Sequence, residues 1–293
     1  MDTKWNEDSG LKARMGLSFA ILGILYVVFL SILNYLGVGY IPLAVIASIM
    51  ILAQWFFSDK IVLWSSGARI VSSEEYPRLH EIVERLSTNN GLPKPKVAMV
   101  NSSVPNAFAT GKSPKSSLVA VTTGLLDLLD DDELEAVLGH ELTHVRSRDV
   151  LVLTLASIFS TVAWYLMQFG FYGGLQARNR NSAGSGVIVL VVAIVTWLVS
   201  FLMIRAISRY REYSADRGGA IMTGKPDKLA TALLKISGKI KVIPPNELKN
   251  VQKLNAFFIV PAFSANSIAN LFSTHPPVEK RVQKLKEMKS GIE

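Results

Sequence analysis

The chain has 293 residues, a net charge of +8 and no cysteine, which excludes disulfide bonds and thiolate metal sites. It is 49% hydrophobic and 18% charged, with a mean hydropathy of +0.31, an unusual balance for a water-soluble protein. The basic residues gather beside apolar runs and on helix faces, and no nucleic-acid reader motif accompanies them, so a nucleic-acid partner is set aside.

The first apolar run, residues 15–36, has Asn34 as its one strongly polar member. The second, about 39–57, holds Pro42 and Gln54 but no charge. Each is long enough to cross ~30 Å of hydrocarbon at 1.5 Å per residue. Tyr35 and Tyr40 flank the turn between them, where aromatic belts occur. Residues 1–60 therefore predict a transmembrane hairpin. It is expected to stay uncleaved, because the first run is too long for a signal-peptide core and lacks a small-residue cleavage site.

Residues 61–149 change character. Residues 73–87 predict a helix with Leu79, Ile82, Val83 and Leu86 inward and His80 off that stripe, at the surface. Residues 91–95, rich in Gly and Pro, lead into a short strand at 97–100, and a second strand is expected at 117–122. Between them, Asn106 has two readings of equal weight: it caps or hydrogen-bonds its loop, or it touches substrate.

A helix follows, marked by Asp131, Asp132 and Glu133 in its first turn and by Leu134, Val137, Leu138, Leu142 and Val145 at helical spacing. It carries His140-Glu141-Leu142-Thr143-His144. Residues four apart on a helix lie on one face, one turn displaced, so both imidazoles can reach one Zn²⁺ while Glu141 handles the proton of a water. A catalytic zinc needs a third protein ligand, and without cysteine it must be His, Asp or Glu.

Two further apolar runs, 150–171 and 187–204, are separated by a loop at 173–186 rich in Gly, Asn and Ser. They predict a second membrane hairpin over 150–205. Thr154, Ser157, Ser160, Thr161 and Gln168 leave open a buried amphipathic helix for the first of them. Five residues separate His144 from the third run and seven separate Ile204 from Glu212. That spacing holds the metal within roughly 10 Å of the bilayer surface.

Residues 206–293 supply the third ligand. Glu212 is the best candidate, and Asp216, one turn on, can accept from the free ring nitrogen of a ligating histidine. The alternative is a charged helix face shared with Arg209 and Arg211. Residues 228–236 predict an amphipathic helix, 243–270 carry no clear pattern, and 277–289 predict a basic terminal helix with Val278, Val282 and Leu285 packed. His275, before two prolines, reads as a capping or packing residue on its own chemistry.

The His140–His144 segment and Arg209-Tyr210-Arg211-Glu212-Tyr213-Ser214-Ala215-Asp216 together resemble the HtpX-type membrane zinc metallopeptidases, relatives of the CAAX prenyl endopeptidases. Asn106-Ala107-Phe108-Ala109-Thr110-Gly111 and Ser273-Thr274-His275-Pro276-Pro277 match as well, in order and spacing, over nearly the whole chain. The resemblance implies that residues 106–111 and the strand at 117–122 border the cleft and that His275 stabilises the oxyanion; Arg281, one turn on, is expected to brace it. It also implies a role in quality control of misfolded or damaged membrane proteins.

The expected architecture is α+β and mostly helical: a multi-pass membrane protein with two helical hairpins and a gluzincin-like zinc-peptidase domain. Lys12, Arg14, Lys60, Arg69, Arg146, Arg148, Arg205, Arg209 and Arg211 flank the runs on one side, against Arg178 and Arg180 on the other. By the positive-inside rule both termini and the active site face the cytoplasm, at the cell membrane. The expected activity is zinc-dependent endopeptidase cleavage of membrane and membrane-adjacent proteins, with one Zn²⁺ per chain on His140, His144 and Glu212 and Glu141 as general base. The protein's partners are then protein substrates and the lipid bilayer. A prenyl-peptide endopeptidase and a non-proteolytic membrane scaffold with a relic zinc site are the competing classes. The sequence leaves the oligomeric state open.

Overall fold

The computed structural model describes residues 9–35, 41–149, 152, 164, 180–244, 259 and 275–289. The chain divides into two compact units. One comprises Met1–Asp8, Phe57–Val150 and Ser208–Glu293, the other Ser9–Phe56 and Leu151–Ile207.

The second of these is helical. Apart from Val152 and Trp164, its described residues lie on α1 (Ser9–Tyr35), on α2 (Ile41–Ser66) up to Phe56, and on the first part of α6 (Arg180–Thr223). Segments at Ala13–Ile32 and Leu190–Thr223 are long and apolar enough to cross a membrane, each containing an 18-residue window with a mean hydropathy of 2.4. Ile24 and Val27 on α1 and Val187 and Val191 on α6 turn outward, an apolar surface that suits lipid rather than water. Leu22 and Ile207 are buried against Phe19, Met203 and Ile204. Ser18 and Ser31 return their hydroxyls to the carbonyls of Arg14 and Val27 four residues back, which satisfies them within α1. The expected loop at 173–186 is corrected in part: α6 already starts at Arg180, so the Asn, Ser and Gly residues there form its first turns, overriding their weak helix propensity. Residues 173–179, and the predicted run 150–171 apart from Val152 and Trp164, lie outside the described residues.

The other unit is built on a four-stranded sheet of order β1-β2-β4-β3, with β1 Arg69–Ile70, β2 Lys96–Val100, β3 Ala107–Thr110 and β4 Leu118–Thr122. β2 and β4 are parallel; β3 runs antiparallel to β4 along the sheet's edge. β4 is buried at every position, as expected for a strand covered on both faces. Val119 and Val121 face the main core with Val97, Met99 and Val83. Leu118 and Ala120 face a second cluster with Phe108, Val100 and Val62. Gly111, at φ +135°, turns the chain after β3, where a Cβ would lie 2.6 Å from the Ser117 Cα. His80, expected at the surface of α3 (Pro77–Asn89), is instead half-buried with its Nε2 3.1 Å from the Val71 carbonyl, because Val71 folds back over the helix.

After α4 (Thr123–Leu128), α5 spans Asp131–Arg146. Asp130 caps it: its Oδ1 accepts from Glu133 N at 2.8 Å, and Glu133 Oε2 accepts from Asp130 N at 3.0 Å. Lys225, Lys228 and Lys235, at the start of and along α7 (Pro226–Val242), pair with Asp132 and Glu135, with Asp130, and with Glu133. The terminal helix α8 (Val278–Lys289) adds Val278, Val282 and Leu285 to the main core, which also holds Leu229, Leu233 and Ile236 of α7.

Candidate metal centre and active site

α5 and the later turns of α6 bring three groups together. His140 Nε2 and His144 Nε2 are 3.2 Å apart, and Glu212 Oε2 and Oε1 lie 3.7 and 3.6 Å from them respectively. One ligand atom from each residue lies within 4.8 Å of the others. The other nitrogen of each ring is engaged. His140 Nδ1 is 3.0 Å from Asp216 Oδ1, and His144 Nδ1 bonds to Asp149 Oδ2. With a carboxylate at each Nδ1, both Nε2 atoms are turned toward a shared centre. Two converging imidazoles and a carboxylate fit a divalent metal with an open position.

Charge around the centre is buried and balanced. Arg281, with no exposed surface, donates from Nε and Nη2 to Asp216 at 2.8 and 2.7 Å. Its Nη1 donates to the Ile259 carbonyl at 2.6 Å and lies 3.4 Å from Glu212 Oε2. Burial holds the His140 imidazole below its ordinary pKa against the opposing pull of Asp216, which suits a neutral ligand. Burial also opposes protonation of His144, but the Asp149 carboxylate outweighs it and pushes the ring up to about 9 in the metal-free protein. Glu141 is buried beside the ligands, and desolvation pushes its carboxyl up to about 8, with His144 and the Ala109 backbone pulling the other way. A carboxyl poised near neutrality is matched to proton transfer, and a neighbouring dication would favour its ionised form.

A model of the family described as "Peptidase family M48" matches residues 73–289. The chain belongs to peptidase family M48. It is 50% identical to "Protease HtpX homolog 2" of Methanosarcina mazei over the full length of both chains. It is also 50% identical to "Protease HtpX homolog" of Moorella thermoacetica, covering all of this chain and 99% of that one. The crystal structure of S. mikatae Ste24p is similar in fold, with a TM-score of 0.57 at 18% identity over 92% of this chain and 64% of that one. This M48 chain is a membrane metallopeptidase, and the separated halves of its sheet-based unit supply the candidate metal site.

The remaining residues singled out in the sequence also gather here. His275, buried, has its Nδ1 3.0 Å from Glu212 Oε2. Asn106, directly before β3, is buried; its backbone pairs with Thr122, and its Oδ1 accepts from Ile259 N at 3.0 Å. Through Ile259 it is linked to Arg281 and so to Asp216. Sequence reasoning missed Asp149 altogether and gave Arg211 no part in the site beyond a charged face and a membrane flank, yet both are buried, with Arg211 Nη2 2.5 Å from Asp149 Oδ2. The available signal was an acid five residues past His144 and an Arg directly before Glu212.

Proposed function

We propose that the protein is a zinc-dependent endopeptidase of the cell membrane that hydrolyses misfolded or damaged membrane and membrane-adjacent proteins. The observation that carries the catalytic part is the convergence of His140 Nε2, His144 Nε2 and a Glu212 carboxylate oxygen beside buried Glu141. His140, His144 and Glu212 hold one zinc per chain, and Asp216 fixes the His140 ring. When bound, zinc polarises the scissile carbonyl and makes water acidic enough to react near neutral pH. Glu141 takes the proton from that water and delivers it to the leaving amine. His275 donates from its ring to the negative charge that develops on the carbonyl oxygen. Edge strand β3, antiparallel to β4 and hydrogen-bonded by Ala109 to Glu141, offers backbone pairing to an extended peptide, which gives affinity with loose sequence preference.

Two hairpins, 1–60 and 150–205, span the bilayer, and the termini and active site lie on the cytoplasmic side. The flanking basic residues support that orientation. The choice of damaged membrane proteins as substrates rests on the resemblance to HtpX-type enzymes.

Zinc content and casein cleavage of detergent-purified wild type beside Glu141→Gln test the reading. Stoichiometric zinc in both, with cleavage in the wild type alone, is the expected result. No zinc in the wild type overturns it. Cleavage confined to short prenylated peptides would instead favour the prenyl-peptide endopeptidase class.

A further inference from the structure

Asp149 lies just past the zinc-motif helix, at a sharp local turn. α5 ends at Arg146, Ser147 N donates back to the Thr143 carbonyl at 2.9 Å, and Arg148 adopts φ +53°. Arg148 has the one positive φ of a non-glycine residue among the described residues. That left-handed step is uncommon for an arginine and needs surroundings that impose it. It reverses the chain so that the Asp149 carboxylate returns to His144 Nδ1.

Arg211 meets the same carboxylate from α6, one residue before Glu212. Its Nε and Nη1 are buried without a hydrogen-bond partner. A guanidinium kept out of water with two donors unused is not held there for its own bonding. Its charge serves Asp149. His140, Asp216 and Arg281 make the same sequence of imidazole, carboxylate and guanidinium on the other ligand. Two ligands of one centre thus carry matching supports, built from different parts of the chain.

The geometry assigns Asp149 and Arg211 as a positioning pair for His144: Asp149 accepts the Nδ1 proton and aims Nε2 at the metal, and Arg211 anchors Asp149 to the turn of α6 that carries Glu212. The assignment rests on the metal-site reading given under Proposed function.

The test is zinc affinity of the full-length, detergent-purified protein, measured by competition with a chromophoric chelator, for wild type, Asp149→Ala, Asp149→Asn and Arg211→Met. The visible absorption of the cobalt-substituted proteins reports ligand geometry alongside. Loss of a support of this kind weakens metal binding by about 10- to 100-fold. We expect that range for Asp149→Ala, a smaller loss for Asp149→Asn, whose amide oxygen can still accept from Nδ1, and altered cobalt spectra in all three variants. If Asp149→Ala does not fold, Asp149→Asn and Arg211→Met decide the matter. Wild-type affinity and an unchanged cobalt spectrum in the folded variants would overturn the assignment and leave the metal site intact. A wild type that binds no zinc would instead overturn the underlying reading.

Discussion

Gly219 lies against the backbone of His140, so close that a Cβ at position 219 would sit 2.7 Å from the His140 nitrogen. From the other side, a Cβ on Gly139 would meet the Thr223 methyl at 2.7 Å. The two glycines let α5 and α6 cross at backbone contact, and Glu212 lies about two turns before that crossing. The separation of the ligands is therefore set by the absence of side chains at 139 and 219.

Gly219→Ala forces the two helices apart. Overpacking of this kind costs about 1–3 kcal/mol. The variant should melt at lower temperature and lose metal on dialysis faster than wild type. Gly238→Ala on α7 is the counterpart, since its Cβ would meet nothing within 4 Å. It should raise stability by about 0.5–1 kcal/mol, the usual gain at a helix-interior glycine. A Gly219→Ala protein with wild-type melting and metal retention would show that the close crossing is not what sets the ligand spacing.

Arg281→Met leaves the Asp216 carboxylate buried without its bidentate partner. Breaking a buried pair from one side destabilises by about 3–5 kcal/mol. Adding Asp216→Asn removes the stranded charge, so the double variant should be more stable than Arg281→Met alone. Equal or additive losses in thermal unfolding would mean that the two side chains do not act as a unit.

Metal binding should depend on pH through His144. Its folded-state pKa is raised to about 9, so below that value the metal-free ring carries a proton that the metal must displace. Apparent zinc affinity of the stripped protein should rise about tenfold per pH unit between pH 6 and 8 and level off above about 9. Chelator competition across that window reads the slope; a flat profile would show that the ring is already neutral when metal arrives.

Asn106→Ala removes the acceptor for the buried Ile259 amide. An orphaned buried donor costs about 1–3 kcal/mol. The expected outcome is a lowered melting temperature with KM for a peptide substrate little changed. A raised KM at unchanged stability would identify Asn106 as a substrate contact instead.

The centre was legible where chemistry follows helical spacing. A spacing of four positions from His140 to His144, and again from Glu212 to Asp216, puts each pair on one helix face, and the structure has His140, His144 and Glu212 within reach of a common point, with Asp216 against the far nitrogen of His140. Asp149 was not legible because its position depends on a left-handed arginine, which no local signal announces. Arg211 was read as a charged face because burial of its guanidinium depends on Asp149. The helix start at Arg180 was hidden by Gly, Asn and Ser, whose propensities favour a loop. β3 appeared only as a cleft-lining segment, since four residues of Ala, Phe, Ala and Thr are too few to set a period.

The order in which these groups are joined along the chain bears on biosynthesis. His140, Glu141 and His144 leave the ribosome well before Glu212, with a long apolar stretch in between. His275 and Arg281 follow later still. Until Arg281 arrives, Asp216 lacks its counter-ion, and the Ile259 carbonyl lacks its donor. A nascent chain therefore passes its neighbours with the candidate metal site incomplete, and competence arises as a late event of synthesis.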